Sequence, residues 1–267
     1  MYFTFHSFVH ESPRWLITTG KEGRAEDVIA KILRMNRMTV PDCNSTVRNL
    51  VRKIQESSAT AIGPLEILKH SAIKKHTIML FVLWFCDNLL MYTFVIGSAY
   101  IKGSHLVNFA VSTAAEMPAS FLGLALVYYC RRRPSQVSTL LLAAAVAVAA
   151  QLTPPAFSYV GLSLSMVGRF VLILSACVKW VWTMELYPTA ARGFGFAACF
   201  TIGRIGGIVA PFMTLLNKYA PGYAAAVLLG AAGILGATMA ALLPETRGVE
   251  LPDTFEDAEE IARKPAR

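Results

Sequence analysis

Charge is scarce in this sequence. Asp, Glu, Lys and Arg make up 16% of its 267 residues while hydrophobic residues make up 55%, whereas a soluble globular domain carries about 25% charge. Mean hydropathy is +0.49, too apolar for so thin a charged coat, so a membrane protein is the first expectation. Cysteine is sparse as well: five residues, with Cys86, Cys130, Cys177 and Cys199 in or at the ends of apolar runs and Cys43 in a polar stretch. They form no CxxC pair and stand at no ligand-like spacing from histidine, which argues against a zinc site or a disulfide framework. Histidines such as His70, His76 and His105 are dispersed, leaving no cluster at one depth for an embedded enzyme, and no catalytic residues are expected. The phosphate-cradling pattern GxxxxGK[ST] is missing, and the glycines at 203, 206 and 207 sit inside an apolar run with no strand before them, so no nucleotide cofactor is expected. The first ten residues lack the basic segment and small-residue cleavage site of a signal peptide. Net charge is +8, but Lys and Arg flank apolar runs and form no basic stripe with interleaved aromatics, which removes nucleic acid from the expected partners.

What is present is a series of long apolar runs. A span needs about 20 residues, and six runs approach that length: 77–96, 106–130, 136–152, 157–184, 193–216 and 223–243. The fourth carries Arg169 and Lys179 and the fifth carries Arg204, so each scores lower on hydropathy, yet length favours spanning. Outside the spans, one side of the membrane receives only Lys102 and Lys218. The other holds the N-terminal segment, the Arg131–Arg132–Arg133 turn, Arg192 and the basic tail. The positive-inside bias therefore predicts both ends in the cytosol. Residues 11–76 read as a cytoplasmic linker of short amphipathic helices, with apolar positions at Val28, Ile29, Ile32 and Leu33 and breaks at Gly20, Gly23, Pro41 and Gly63–Pro64. Asn44–Ser45–Thr46 matches a glycosylation acceptor, but this topology puts it inside, where it would stay unmodified.

Four motifs carry a family resemblance. They are Glu11–Ser12–Pro13–Arg14–Trp15–Leu16, then Glu185–Leu186–Tyr187–Pro188–Thr189 through Arg192, then Gly206–Gly207–Ile208–Val209–Ala210–Pro211, and Leu243–Pro244–Glu245–Thr246–Arg247–Gly248. In this order and spacing the chain resembles the organic cation, anion and carnitine carriers of the major facilitator superfamily. That resemblance implies an all-α membrane protein, the second half of a twelve-helix fold: residues 1–10 as the end of a preceding span, 11–76 as the linker, 77–243 as a six-helix bundle and 244–267 as a cytoplasmic tail. The partners implied are a small organic ion, the lipid bilayer and an N-terminal six-helix half, in a multi-pass protein of the plasma membrane. One departure stands out: the turn Cys130–Arg131–Arg132–Arg133–Pro134 keeps the family's basic charge and lacks its acidic partner.

The resemblance implies transport by rocking two halves about a midplane cavity. The alternative is a half that does not transport and serves as a structural or regulatory membrane partner. Charged side chains deep in a span usually face such a cavity, because each costs about 2.5–3.5 kcal/mol on insertion scales. Glu116 and Arg204 lie about 15 Å from the ends of their predicted helices, close to mid-bilayer. Glu116 stands at an acidic position resembling that of cation carriers, and Arg204 stands where anion and carnitine carriers tend to have arginine. Its planar fork suits a carboxylate or sulfonate, so an organic anion or zwitterion is favoured over a simple cation, the bland alternative being a Glu116–Arg204 structural pair. Lys179 either contacts the anion or snorkels to the cytosol, and Arg169 reads as helix packing more than substrate contact. Trp84, Phe85, Tyr92, Phe94, Trp180 and Trp182 are the aromatics that could meet a flat organic body; Tyr92 is the preferred one, a turn from Asn88. Asp87 shares that span and is free to pair with a Lys or Arg elsewhere, its role otherwise open. At the cytosolic ends, Glu185, Arg192, Glu245, Arg247 and Arg131 are candidate gating residues, able to pair in one state and part in another; ordinary helix-end charges are the competing reading.

Overall fold

The computed structural model describes residues 11, 13–18, 21–36, 49, 52, 71–99, 106, 110, 113–114, 116–188, 191–219, 223–249, 251–252, 256 and 258–259. The proposed end of a preceding span at residues 1–10 and the acceptor at Asn44 lie outside them. The chain divides into two compact units, Met1–Gly63 and Pro64–Arg267.

In the first unit, α1 (Pro13–Thr18) opens on a proline, whose fixed φ suits a first helical position. Lys21 N–H donates to the Leu16 carbonyl at 2.8 Å, turning the chain into α2 (Glu22–Met35). The two helices bury Leu16, Ile17 and Ala25 together, with Val28 and Ile29 packed on them. Ile32 and Met35 stay exposed.

The described helices of the second unit are α3 (Ser71–Ala99), α4 (Glu116–Tyr129), α5 (Arg132–Leu152), a 3-10 turn (Pro155–Phe157), α6 (Ser158–Leu186), α7 (Arg192–Tyr219) and α8 (Ala224–Leu242). Among the described residues five stretches are long and apolar enough to cross a membrane: Ile73–Gly97, Arg132–Leu152, Tyr159–Leu186, Arg192–Met213 and Ala224–Leu242. The sequence predicts six. The difference is the second run, only part of which lies among the described residues: α4 supplies 14 continuous residues of it.

Small residues bring these helices together. Hydrocarbon gives no hydrophobic drive for apolar helices to associate, so close backbone approach and buried polar contacts must do it. A methyl group added to Gly206 of α7 would fall within 3.0 Å of the Phe85 carbonyl in α3; one on Gly233 of α8 would strike Ala144 of α5, and one on Gly123 of α4 would strike Cys177 of α6. Helix α3 packs against α6, α7 and α8. Tyr187, at the end of α6, adds a polar link: its hydroxyl donates to Thr77 Oγ1 at 3.0 Å and lies 3.5 Å from Cys199 Sγ. Burial pushes the phenol's pKa up, keeping it a neutral donor. The ring occupies the space a side chain on Gly195 would need.

One end of the bundle is fastened by charge. Arg132 forks onto Glu185 through Nε–Oε2 at 3.3 Å and Nη2–Oε1 at 3.0 Å, and Thr246 donates to the same carboxylate. Glu245 accepts the backbone N–H groups of Arg132 at 2.9 Å and Arg133 at 3.1 Å, satisfying donors that the first turn of α5 leaves open. Arg247 donates to the carbonyls of Tyr128 and Tyr129 at the end of α4. Arg192 donates through Nε to the Met184 carbonyl at 2.9 Å. The arginine that engages Glu185 is thus Arg132; Arg131 is exposed at the N-cap of α5. Because Glu185 and Arg132 are mostly shielded, with side chains 18% and 11% exposed, Glu185→Ala is expected to cost about 2 kcal/mol, and Arg131→Ala no more than about 0.5 kcal/mol. Thermal unfolding of the purified variants checks the ranking.

Candidate functional site

Two helices of the second unit supply most of a cavity's lining, at the period of a helix face. On α3 the positions are Trp84, Asp87, Asn88, Met91, Tyr92 and Val95; on α6 they are Arg169, Leu172, Ile173, Ala176, Lys179 and Trp180. The intervals of three and four place each set along one stripe. Facing each other, and joined by Glu116 of α4 and by Phe200 and Arg204 of α7, they line a cavity of about 370 Å³. That volume sits at the small end of the range for small-molecule sites. The five side chains that the sequence offers for substrate contact, Arg204, Glu116, Tyr92, Lys179 and Trp84, all line it.

Charges pair within this wall in a way that differs from the bland expectation. Glu116 pairs with Arg169, not with Arg204. Arg169 is buried behind it, with a side chain 4% exposed against 25% for the carboxylate, so the acidic group is the one nearer the open space. Lys179 does not snorkel toward an aqueous face. It is buried, donates to Asp87 and sits 4.5 Å from the centre of the Trp84 ring. Asp87 also accepts from the Ser175 hydroxyl at 2.6 Å, and Ser175 accepts from Gln136 of α5 at 2.7 Å. The pairing expected of Asp87 with a basic residue is thus made by Lys179, and the buried network answers the desolvation of two charges with a mutual contact and further hydrogen bonds.

Arg204 has a different setting. Its guanidinium donates to the Tyr92 hydroxyl and stacks 4.3 Å from the Phe200 ring centre, one turn back on the same helix. The Tyr92 ring lies where a side chain on Gly207 would fall, so the glycines that let α3 and α7 approach also set the tyrosine against the arginine. No carboxylate among the described residues reaches Arg204. Among the described residues the lining therefore carries three cations and two carboxylates, and the surplus positive charge is on Arg204.

The other aromatics separate cleanly. Trp180 lines the cavity and is half exposed; Trp182 is fully buried, is not among the lining residues and donates to the Pro244 carbonyl at 3.0 Å. Phe85 and Phe94 are not among the lining residues; the Phe94 ring fills the notch left by Gly168. Trp84 is held by its indole N–H, which donates to Thr183 at 3.0 Å and adds a face to the wall.

The sequence matches the family described as sugar (and other) transporter over residues 1–258. Among curated relatives, organic cation/carnitine transporter 2 of Homo sapiens is 33% identical over 252 residues, covering 93% of this chain and 44% of that protein. The organic cation transporter protein of Drosophila melanogaster is 27% identical over 275 residues, covering 100% and 50%. Solute carrier family 22 member 6-A of Xenopus laevis is 28% identical over 270 residues, covering 100% and 48%. The chain spans about half the length of these relatives. In three dimensions it is similar to a major facilitator superfamily proton:xylose symporter solved with 6-bromo-6-deoxy-D-glucose, with a TM-score of 0.67, 22% identity, and coverage of 96% of this chain and 55% of that one.

Proposed function

Because the chain belongs to the sugar (and other) transporter family, we propose that it forms one half of a secondary carrier for small organic ions and that its cavity prefers an anion or a zwitterion to a simple cation. The observation that carries the charge preference is the surplus cation. Glu116 and Asp87 are each matched within the wall, while Arg204 faces the space with a hydroxyl and a ring as neighbours. A guanidinium so placed offers two parallel N–H donors to a carboxylate or sulfonate, and Trp180 and Phe200 supply flat apolar surface for the rest of the solute. A zwitterion would add its cationic group near Glu116, the more open member of its pair.

In this reading six helices, α4 among them, form the second half of the fold. They rock against an N-terminal half around the midplane site, with the linker and tail in the cytosol. The cluster of Arg132, Glu185, Glu245 and Arg247 fastens the cytosolic end in one state and loosens in the other, with Arg192 and Arg131 at its margin. Twelve-helix alternating access needs both halves, so this chain expressed by itself is expected to take up no organic ion above background.

The test is uptake of radiolabelled anionic, zwitterionic and cationic probes by cells expressing the chain together with six preceding spans, with and without Arg204→Asp. Reversal of this charge is expected to lower anion uptake by about tenfold or more, the equivalent of about 1.4 kcal/mol, and to raise uptake of cations. Unchanged selectivity would take Arg204 out of the site.

A further inference from the structure

A cation is already bound on an aromatic face and a carboxylate inside this bundle, and it belongs to the protein itself. The Lys179 ammonium donates to Asp87 Oδ2 and lies 4.5 Å from the centre of the Trp84 ring. Both the carboxylate and the ring are also held by groups other than the Lys179 ammonium. Asp87 Oδ1 accepts from Ser175 at 2.6 Å, and Ser175 is held in turn by Gln136. The indole is anchored through its N–H on Thr183 at 3.0 Å. A ring face and a carboxylate held from outside, meeting at one ammonium, make a preorganised receptor for alkylammonium groups, and preorganisation is what such a site needs in order to bind a free ligand. Trp84, Asp87 and Lys179 all border the cavity, so the position is open to a solute once the tether is removed.

We propose that Trp84 and Asp87 form a binding subsite for a primary alkylammonium group, and that Lys179 occupies it in place of a ligand. The inference rests on cavity geometry and stands apart from the transport reading. It adds a chemical meaning to the lysine: a tethered occupant keeps organic ammonium ions out of this carboxylate-and-indole corner of the wall.

Lys179→Ala removes Cγ, Cδ, Cε and Nζ, the same heavy atoms as n-propylammonium. In the purified chain in detergent micelles this variant is expected to unfold at a lower temperature than the parent. Adding n-propylammonium chloride is expected to raise its midpoint saturably in the millimolar range, with n-propanol and sodium chloride leaving it unchanged. None of the three additives should move the parent, whose subsite is filled, or the double variant Asp87→Asn/Lys179→Ala, which lacks the carboxylate. No saturable rise in Lys179→Ala, or an equal rise in the double variant, overturns the proposal. If Lys179→Ala accumulates no folded chain, n-propylammonium present during expression and extraction is expected to recover it, and failure to do so counts against the site equally.

Discussion

Replacing Lys179 with methionine is expected to destabilise the folded chain by about 3–5 kcal/mol, and replacing Asp87 with asparagine in the same chain is expected to return most of that loss. Methionine keeps the unbranched stem, so the single change chiefly deletes the ammonium. Asp87 would then keep the Ser175 hydroxyl and lose the charge that balances it, at a position 3% exposed. An isolated carboxylate in a medium of low dielectric is the expensive case, whereas a matched pair, or no charge at all, is tolerated. Asparagine can still accept from Ser175, and without a charge it no longer needs the lysine. Reversible unfolding of the four chains of this cycle in mixed micelles gives the coupling directly. A double variant no more stable than Lys179→Met would mean that the Gln136–Ser175 chain, and not charge balance, holds this part of the bundle.

The pair also shows what sequence reasoning reaches and where it stops. Long apolar runs announce spans because a lipid core demands length and apolar composition, and five of the six expected runs reappear as helices fit to cross. Depth is legible too: Glu116, Tyr92, Lys179, Arg204 and Trp84 fall at levels that place them in one cavity wall. Azimuth is not legible in the same way. Whether Glu116 meets Arg169 or Arg204, and whether Lys179 turns inward to Asp87 or outward along the helix, depends on the rotation of each helix about its axis. That rotation is decided by contacts among residues as distant in sequence as Gly206 and Phe85. A partial signal was present. Trp84, Asp87, Asn88, Met91 and Tyr92 follow the three-and-four spacing of one helix face, as do Arg169, Ala176, Lys179 and Trp180, and two polar stripes in apolar helices are most cheaply accommodated by facing each other. The arginine turn illustrates the same limit at finer scale. Three consecutive arginines are equivalent in composition, but successive residues on a helix point about 100° apart, and Arg132 is the one aimed at Glu185.

Gly206→Ala is expected to be the most damaging single-methyl change in the bundle, costing about 3 kcal/mol, at the upper end of ordinary overpacking. The added Cβ would meet the carbonyl oxygen of Phe85 and, at 3.0 Å, the amide nitrogen of Leu89. Both are backbone atoms of α3, which cannot swing aside as a side-chain tip could, so relief requires α3 and α7 to separate. Separation would also pull Tyr92 from Arg204, since Gly203 and Gly207, on either side of Gly206, are the positions against which Asn88 and the Tyr92 ring rest. The loss of stability and the loss of the arginine's setting should therefore appear together. Gly161→Ala in α6 is the matched control: a methyl there meets nothing within 4 Å, and alanine in place of a helical glycine is expected to stabilise by about 0.5–1 kcal/mol. Denaturation midpoints of the two variants should move in opposite directions. If Gly206→Ala matches the parent in midpoint, the close approach of α3 and α7 does not hold this wall of the cavity, and the placement of Arg204 must be secured elsewhere in the bundle.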